Sequence, residues 1–223
     1  MPAGWRAFNR GGINGTNAVY DAIDAFVSPT LTIVSNAGYH AGITFQMEPH
    51  DWESAKVNAS QIRGRFGKTN PVFLYIDASW PQMGPSMNEY KHGLFWTGRL
   101  TWSREVEDYM VWIINEYIQR GIIDVIYIDD TSCSATRALY ATAYQMPDGQ
   151  TQPGFNTLGF RRFLQRVWVL FTKAGKTPHI VPHMTYCYEI PALSFASAVV
   201  NGEDRDIYEG MQHTFMDVWG RDE

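Results

Sequence analysis

The stretch Asp124-Val125-Ile126-Tyr127-Ile128-Asp129-Asp130-Thr131 constrains this chain most, because an apolar, β-branched run starts just after a helix stop at Gly121 and ends in two adjacent carboxylates. Such a run reads as a buried strand of a parallel sheet that delivers its acids at the carboxyl end. In parallel α/β folds, and in (β/α)8 barrels above all, ligands and catalytic groups gather at that end. A single aspartate there is ordinarily a helix cap or a solvated group. The pair gains weight because its pattern repeats.

It repeats at Val72-Phe73-Leu74-Tyr75-Ile76-Asp77-Ala78-Ser79-Trp80, where Leu-Tyr-Ile-Asp echoes Ile-Tyr-Ile-Asp. With a period of two along a strand, Tyr75 and Asp77 share one face, as do Tyr127 and Asp129, while the isoleucines take the other. A polar Tyr/Asp face opposite an apolar one suits a barrel strand whose inner side nears a binding mouth and whose outer side packs on helices. A third candidate strand, Ile180 to Tyr186, puts His183 and Thr185 on one face, and a fourth, Ala198 to Glu203, does the same for Asn201 and Glu203. Asp77, Asp129, His183 and Glu203 therefore each sit at or near a predicted strand end.

Helices are predicted between the strands. Ser103 can cap one whose first turn holds Glu105, whose apolar stripe is Val106, Met110, Ile113, Ile114 and Tyr117, and which stops at Arg120-Gly121. Asn156 or Thr157 begins another, with Phe160, Phe163, Leu164, Val167, Trp168 and Phe171 on its stripe and Lys173-Ala174-Gly175 at its end. That aromatic stripe reads as packing. Alternating strands and helices imply an α/β fold with a parallel sheet, as a barrel or a doubly wound sheet. The glycines Gly11, Gly12 and Gly15 precede no strand-to-helix junction, which disfavours a dinucleotide fold.

A chain of 223 residues can bury one full core. Only about five or six strands can be found against the eight of a complete TIM barrel, so the expected domain, residues 1–223, is a complete or incomplete (β/α)8 barrel belonging to a longer natural chain or a shortened form of it. Two segments read as loops. Residues 145–156 are rich in turn formers and are expected to hold no regular element, after a short helix around Ala135 to Tyr144; Pro81 to Pro85 follows the Asp77 strand and belongs at the mouth.

Composition narrows the partners. A net charge of −5 and a pI near 5.7 leave no basic footprint, which argues against nucleic acid. No run approaches the ~18 apolar residues of a membrane span, and no address signal is visible, which leaves the compartment open, a secreted or periplasmic parent included. With 8 Trp and 12 Tyr, several in predicted loops, the chain suits sugars, whose C–H faces stack on rings while their hydroxyls bond to acids and amides. Cys133 and Cys187 follow different strands, and nothing in their spacing decides between pairing and free thiols.

The combination of Phe73-Leu74-Tyr75-Ile76-Asp77, Tyr127-Ile128-Asp129-Asp130-Thr131 and Val200-Asn201-Gly202-Glu203-Asp204 resembles the catalytic barrel of glycoside hydrolase family 123, the β-N-acetylgalactosaminidase group, and its relatives, over residues 70–220. The resemblance implies a (β/α)8 barrel behind a β-sandwich, which has no counterpart in this sequence. It also implies an adjacent Asp-Glu pair, in which the aspartate orients the substrate's 2-acetamido group for attack on the anomeric carbon and the glutamate serves as acid/base. Here the matching pair is Asp129-Asp130, the second acid one methylene shorter, so Glu203 competes with Asp130 for the acid/base role.

Glycoside cleavage by itself calls for two carboxyl environments, one protonated to assist the leaving oxygen and one ionised group to stabilise an oxocarbenium-like centre. Asp129 with Asp130, or Asp129 with Glu203, can supply them. A rival reading makes Asp77, Asp129, His183 and Glu203 ligands of Mg²⁺, Mn²⁺ or Zn²⁺ in a barrel hydrolase or isomerase, although no His-x-His or His-x-x-x-His spacing supports it. A third makes the chain a carbohydrate-binding barrel without catalysis. The leading expectation is a glycosidase, with no cofactor and no metal, in which Asp129, Asp130 and Glu203 are catalytic and Asp77, Trp80, His183, Tyr186 and Asn201 contact the sugar.

Overall fold

The computed structural model describes residues 6–8, 32–35, 49, 51–66, 72–77, 95–96, 99–100, 103–129, 131, 135–184 and 188–199. Five parallel strands form the main sheet: β1 (Arg6–Phe8), β2 (Thr32–Ser35), β3 (Val72–Asp77), β6 (Val125–Asp129) and β11 (Ile180–Pro182). A two-stranded ribbon, β4 (Phe95–Trp96) with β5 (Arg99–Leu100), lies between β3 and β6 in sequence. The helices are α1 (Trp52–Phe66), α2 (Arg104–Gln119), α3 (Thr157–Lys173) and the short α4 (Ile190–Leu193).

The order across the sheet is β1-β2-β3-β6-β11, which is also chain order, so each strand of this sheet lies beside the one that precedes it within the sheet and the winding does not reverse among the described residues. A doubly wound sheet needs such a reversal, whereas a barrel is built by stepping one way. The described strands are thus a sector with barrel winding.

Register sets the two faces. Leu74 pairs with Ile126 and Ile76 with Ile128, and all four are buried against the helices together with Val72 and Ile180. The alternate rows hold Tyr75, Tyr127 and Val181, then Asp77 beside Asp129. Tyr127 and Asp129 are only half-buried, in agreement with the expected division between an apolar helix face and a polar face.

Both predicted helices, α2 and α3, form where their stripes place them. Ser103 Oγ accepts the Val106 N–H at 3.3 Å, and Val106, Tyr109, Met110, Ile113, Ile114, Tyr117 and Ile118 are buried. Each such side chain removed from water contributes roughly 1.5–3 kcal/mol before entropy is counted. α2 ends in a Schellman motif, with Gly121 at φ 67°, its N–H donating to Ile118 O at 3.0 Å and the Ile122 N–H to Tyr117 O at 2.9 Å. α3 ends in the same way at Gly175, which explains why both helices stop at a glycine and turn sharply into a strand.

The segment between β6 and α3 differs from expectation. In place of a short helix and a structureless loop it holds β7 (Ala135–Thr136), β8 (Tyr144–Gln145), β9 (Thr151–Gln152) and β10 (Gly154–Phe155), paired as two antiparallel ribbons, β7 with β10 and β8 with β9. The turn formers Pro147-Asp148-Gly149 close the inner hairpin. The Gly149 N–H donates to Met146 O at 2.9 Å, and Gly149 takes φ 82°, as a three-residue hairpin loop with a G1 bulge requires.

At the amino end of the strands Asp124 joins the layers. Its carboxylate accepts from Arg63 of α1 at 2.7 Å, from the Val72 N–H at 3.0 Å and from Lys176 Nζ at 3.0 Å, while Arg63 and Lys176 also donate to the carbonyls of Gly121 and Ile123. Burial pushes the Asp124 carboxyl up, but the bonds from Arg63, Val72 and Lys176 outweigh it and leave the group below its ordinary value near 3.8. A lowered folded value means that the ionised form stabilises the fold above the unfolded-state value, and that this contribution is lost as pH falls through the folded one. Asp124→Asn should therefore cost about 2–3 kcal/mol at neutral pH. In urea melts the gap to the parent protein should narrow below pH 3.8; a gap that is constant with pH would refute an ionic role.

Candidate active site

The carboxyl ends of β3, β6 and β11 meet in one row. Asp77 and Asp129 are register partners, and the next position of β11 after the Pro182–Ile128 pair is His183. The His183 N–H donates to Ile128 O at 2.7 Å, which carries the β6–β11 ladder up to that residue. His183 Nδ1 then lies 2.5 Å from Asp129 Oδ1, the imidazole side chain 4% exposed and the carboxylate 24% exposed. The difference matters because the histidine is enclosed while the aspartate reaches the open side.

Period two explains why they meet. Tyr127 and Asp129 lie two apart on β6, Val181 of β11 and His183 just past its end lie two apart likewise, and continuing the parallel register by one residue sets the second of each pair side by side. The Tyr127 and His183 rings are 6.3 Å apart at 30°, so Tyr127 lies against the Asp129–His183 pair from one position below it on the same face. An imidazole whose Nδ1–H donates to a carboxylate is fixed in tautomer and ring orientation, and the carboxylate in turn is restricted in rotation.

Thr131 was part of the strand-end motif, but nothing in the sequence assigned it a role. Its N–H and its Oγ–H both donate to His183 O, at 3.0 and 2.5 Å, and the residue is buried. These two hydrogen bonds to one carbonyl clamp the backbone just past β11 to the segment just past β6 and help to hold His183 in place. A threonine two residues past a strand-end aspartate is the only sequence signal, and it becomes informative once the neighbouring strand is known.

Of the expected site residues, the structure brings Asp129 and His183 into contact and places Asp77 beside Asp129 by backbone register. Asp130, Glu203, Trp80, Tyr186 and Asn201 lie outside the described residues, as do Cys133, Thr185 and Cys187. Among the described residues no group of three or more His, Cys, Asp or Glu side chains is placed to hold a metal ion, and no helix is long and apolar enough to cross a membrane.

Neither a protein-family model nor a curated protein sequence matches this chain. Several solved structures are similar to it in outline. A 2,3-dimethylmalate lyase, a PEP mutase/isocitrate lyase superfamily member, aligns with TM-score 0.47 and 13% identity, over 90% of this chain and 59% of its own. AmyP in complex with maltose aligns with TM-score 0.47 and 11% identity, over 81% of this chain and 42% of its own. ICChI chitinase from Ipomoea carnea aligns with TM-score 0.44 and 13% identity, over 87% and 65%. The chain spans less than two thirds of the length of each, and at these identities no residue role is carried over from them.

Proposed function

We propose that this chain supplies the barrel of a glycoside hydrolase, with reaction at the row of Asp77, Asp129 and His183. The observation that supports this reading is the Asp129–His183 pair: a half-buried carboxylate held by an enclosed imidazole, at the carboxyl ends of adjacent parallel strands, with the Tyr127 ring beside it. In parallel α/β folds that end is where catalytic groups collect. His183 holds the carboxylate through Oδ1, and in this reading the carboxylate stabilises positive charge developing at an anomeric carbon.

In the finer form of the proposal the substrate is an N-acetylhexosaminide. Asp129 orients the 2-acetamido group, whose oxygen attacks the anomeric carbon to form an oxazolinium ion as the glycosidic C–O bond breaks. A second acid protonates the leaving oxygen and then takes a proton from the water that reopens the ring. Asp130 and Glu203 are the candidates for that acid, one beside Asp129 in sequence and one from a later segment. Trp80, Tyr186 and Asn201 would contact the sugar, and eight strands would close the barrel.

A panel of chromogenic glycosides that includes N-acetylhexosaminides tests the proposal. The expected result is release from at least one of them, unchanged after exhaustive chelation. Loss on chelation with recovery on adding Mg²⁺, Mn²⁺ or Zn²⁺ would shift the reading to a metal-dependent barrel enzyme. Inactivity over the whole panel would count against a glycosidase.

A further inference from the structure

We infer that the paired ribbons between β6 and α3 form a platform that holds a neutral polysaccharide chain beside the acid row. This extends the glycosidase reading from short glycosides to polymers and rests on that reading for the role of the neighbouring site. The first observation is exposure. Of the eleven large apolar side chains exposed among the described residues, six lie between residues 139 and 158, Tyr144 at 60% and Phe155 at 63% among them. Tyr188, on the segment after β11, adds a further exposed ring.

The second observation is charge. Residues 135–158 carry only Arg137 and Asp148, among the amides Gln145, Gln150 and Gln152. Nucleic acid would require clustered cations, and a charged peptide would require complementary charge. Rings interspersed with amides and almost free of charge suit an uncharged polyhydroxylated chain, which offers C–H faces for stacking and hydroxyls for the amides.

The third is rigidity. The inner hairpin is closed by the Met146 N–H donating to Gln150 O at 2.8 Å and by the Gln150 N–H donating to Asp148 Oδ1 at 2.9 Å. Gly154 packs so closely that a Cβ there would stand 2.3 Å from Thr142 O, which locks β10 against the chain between the ribbons. Rings mounted on such a frame lose little freedom when a ligand binds. The platform also starts near the site, since Ala135 follows Thr131 by four positions and extended chain can span at most about 14 Å over that distance.

Affinity electrophoresis of the full chain in gels containing soluble starch, glycol chitin or hydroxyethyl cellulose, with alginate as the anionic control, tests the inference. At least one neutral polymer should retard the parent protein, and Tyr144→Ala with Phe155→Ala should weaken that retention about 10-fold. Tyr144→Phe with Phe155→Tyr should keep it, and hydrolysis of a short chromogenic glycoside should not change in either variant. Equal retention of the parent and the alanine variant overturns the platform, as does retention by none of the neutral polymers. So does a dimer that the alanine variant converts to monomer in sedimentation with retention unaltered, since the rings then cover a second copy. Retention lost in the alanine variant, in a protein that cleaves no short glycoside, upholds the platform and refutes the hydrolase reading instead.

Discussion

Asp129→Asn should lower kcat/KM on any glycoside this chain cleaves by about a thousandfold, with the thermal unfolding midpoint nearly unchanged. The amide has the size of the carboxylate and its oxygen can still accept from His183 Nδ1 at the 2.5 Å position, so the pairing that joins β6 to β11 persists. What it lacks is the negative charge required at the transition state. Kinetics and circular-dichroism melts on the same preparation separate the two effects. A variant with the parent rate would remove Asp129 from the mechanism, and a variant that fails to fold would show the pair to be structural.

The second large effect concerns stability. Glu107 of α2 is fully buried and held by Arg162 and Arg166 of α3: Arg162 donates from Nε at 2.8 Å and makes a closer contact through its terminal nitrogen, and Arg166 stands at 3.7 Å. The hydrogen bond to Glu107 raises Arg162 further above its ordinary value, although burial opposes it. Arg162→Met with Arg166→Met would strand a buried carboxylate, a loss of about 3–5 kcal/mol. For a chain of this length that is a fall of roughly 6–20 °C in midpoint. Adding Glu107→Gln should recover part of it, because a neutral amide is cheaper to bury. If the double variant melts with the parent, the ion pairs contribute nothing to the α2–α3 contact.

The same buried carboxylate shows where sequence reading stops. Glu107 falls in the first turn of a capped helix, where an acid is favourable on the exposed face, and nothing local marks it as buried. Only the approach of α3 supplies its guanidinium partners. Asp124 is similar, since it opens the strand motif but becomes a junction through Arg63, sixty-one residues earlier, and Lys176, fifty-two later. The ribbons between β6 and α3 escape sequence pattern for a related reason: strands of two residues are too short for periodicity to register, and their pairing comes from the turn at Gly149 and the close approach at Gly154.

What the sequence determined by itself were the local rules: period two for β3 and β6, the helical stripes of α2 and α3, the Ser103 cap and the stops at Gly121 and Gly175. Each rests on backbone geometry that repeats within a few residues, so the chain carries it without tertiary help. Which strand lies beside which, and therefore that Asp129 touches His183 while Thr131 clamps the carbonyl of the same histidine, was decided by the tertiary structure. Those contacts join residues more than fifty apart, and their register follows from the burial of the isoleucine rows under α2 and α3, a property of the packed layers that no single segment encodes.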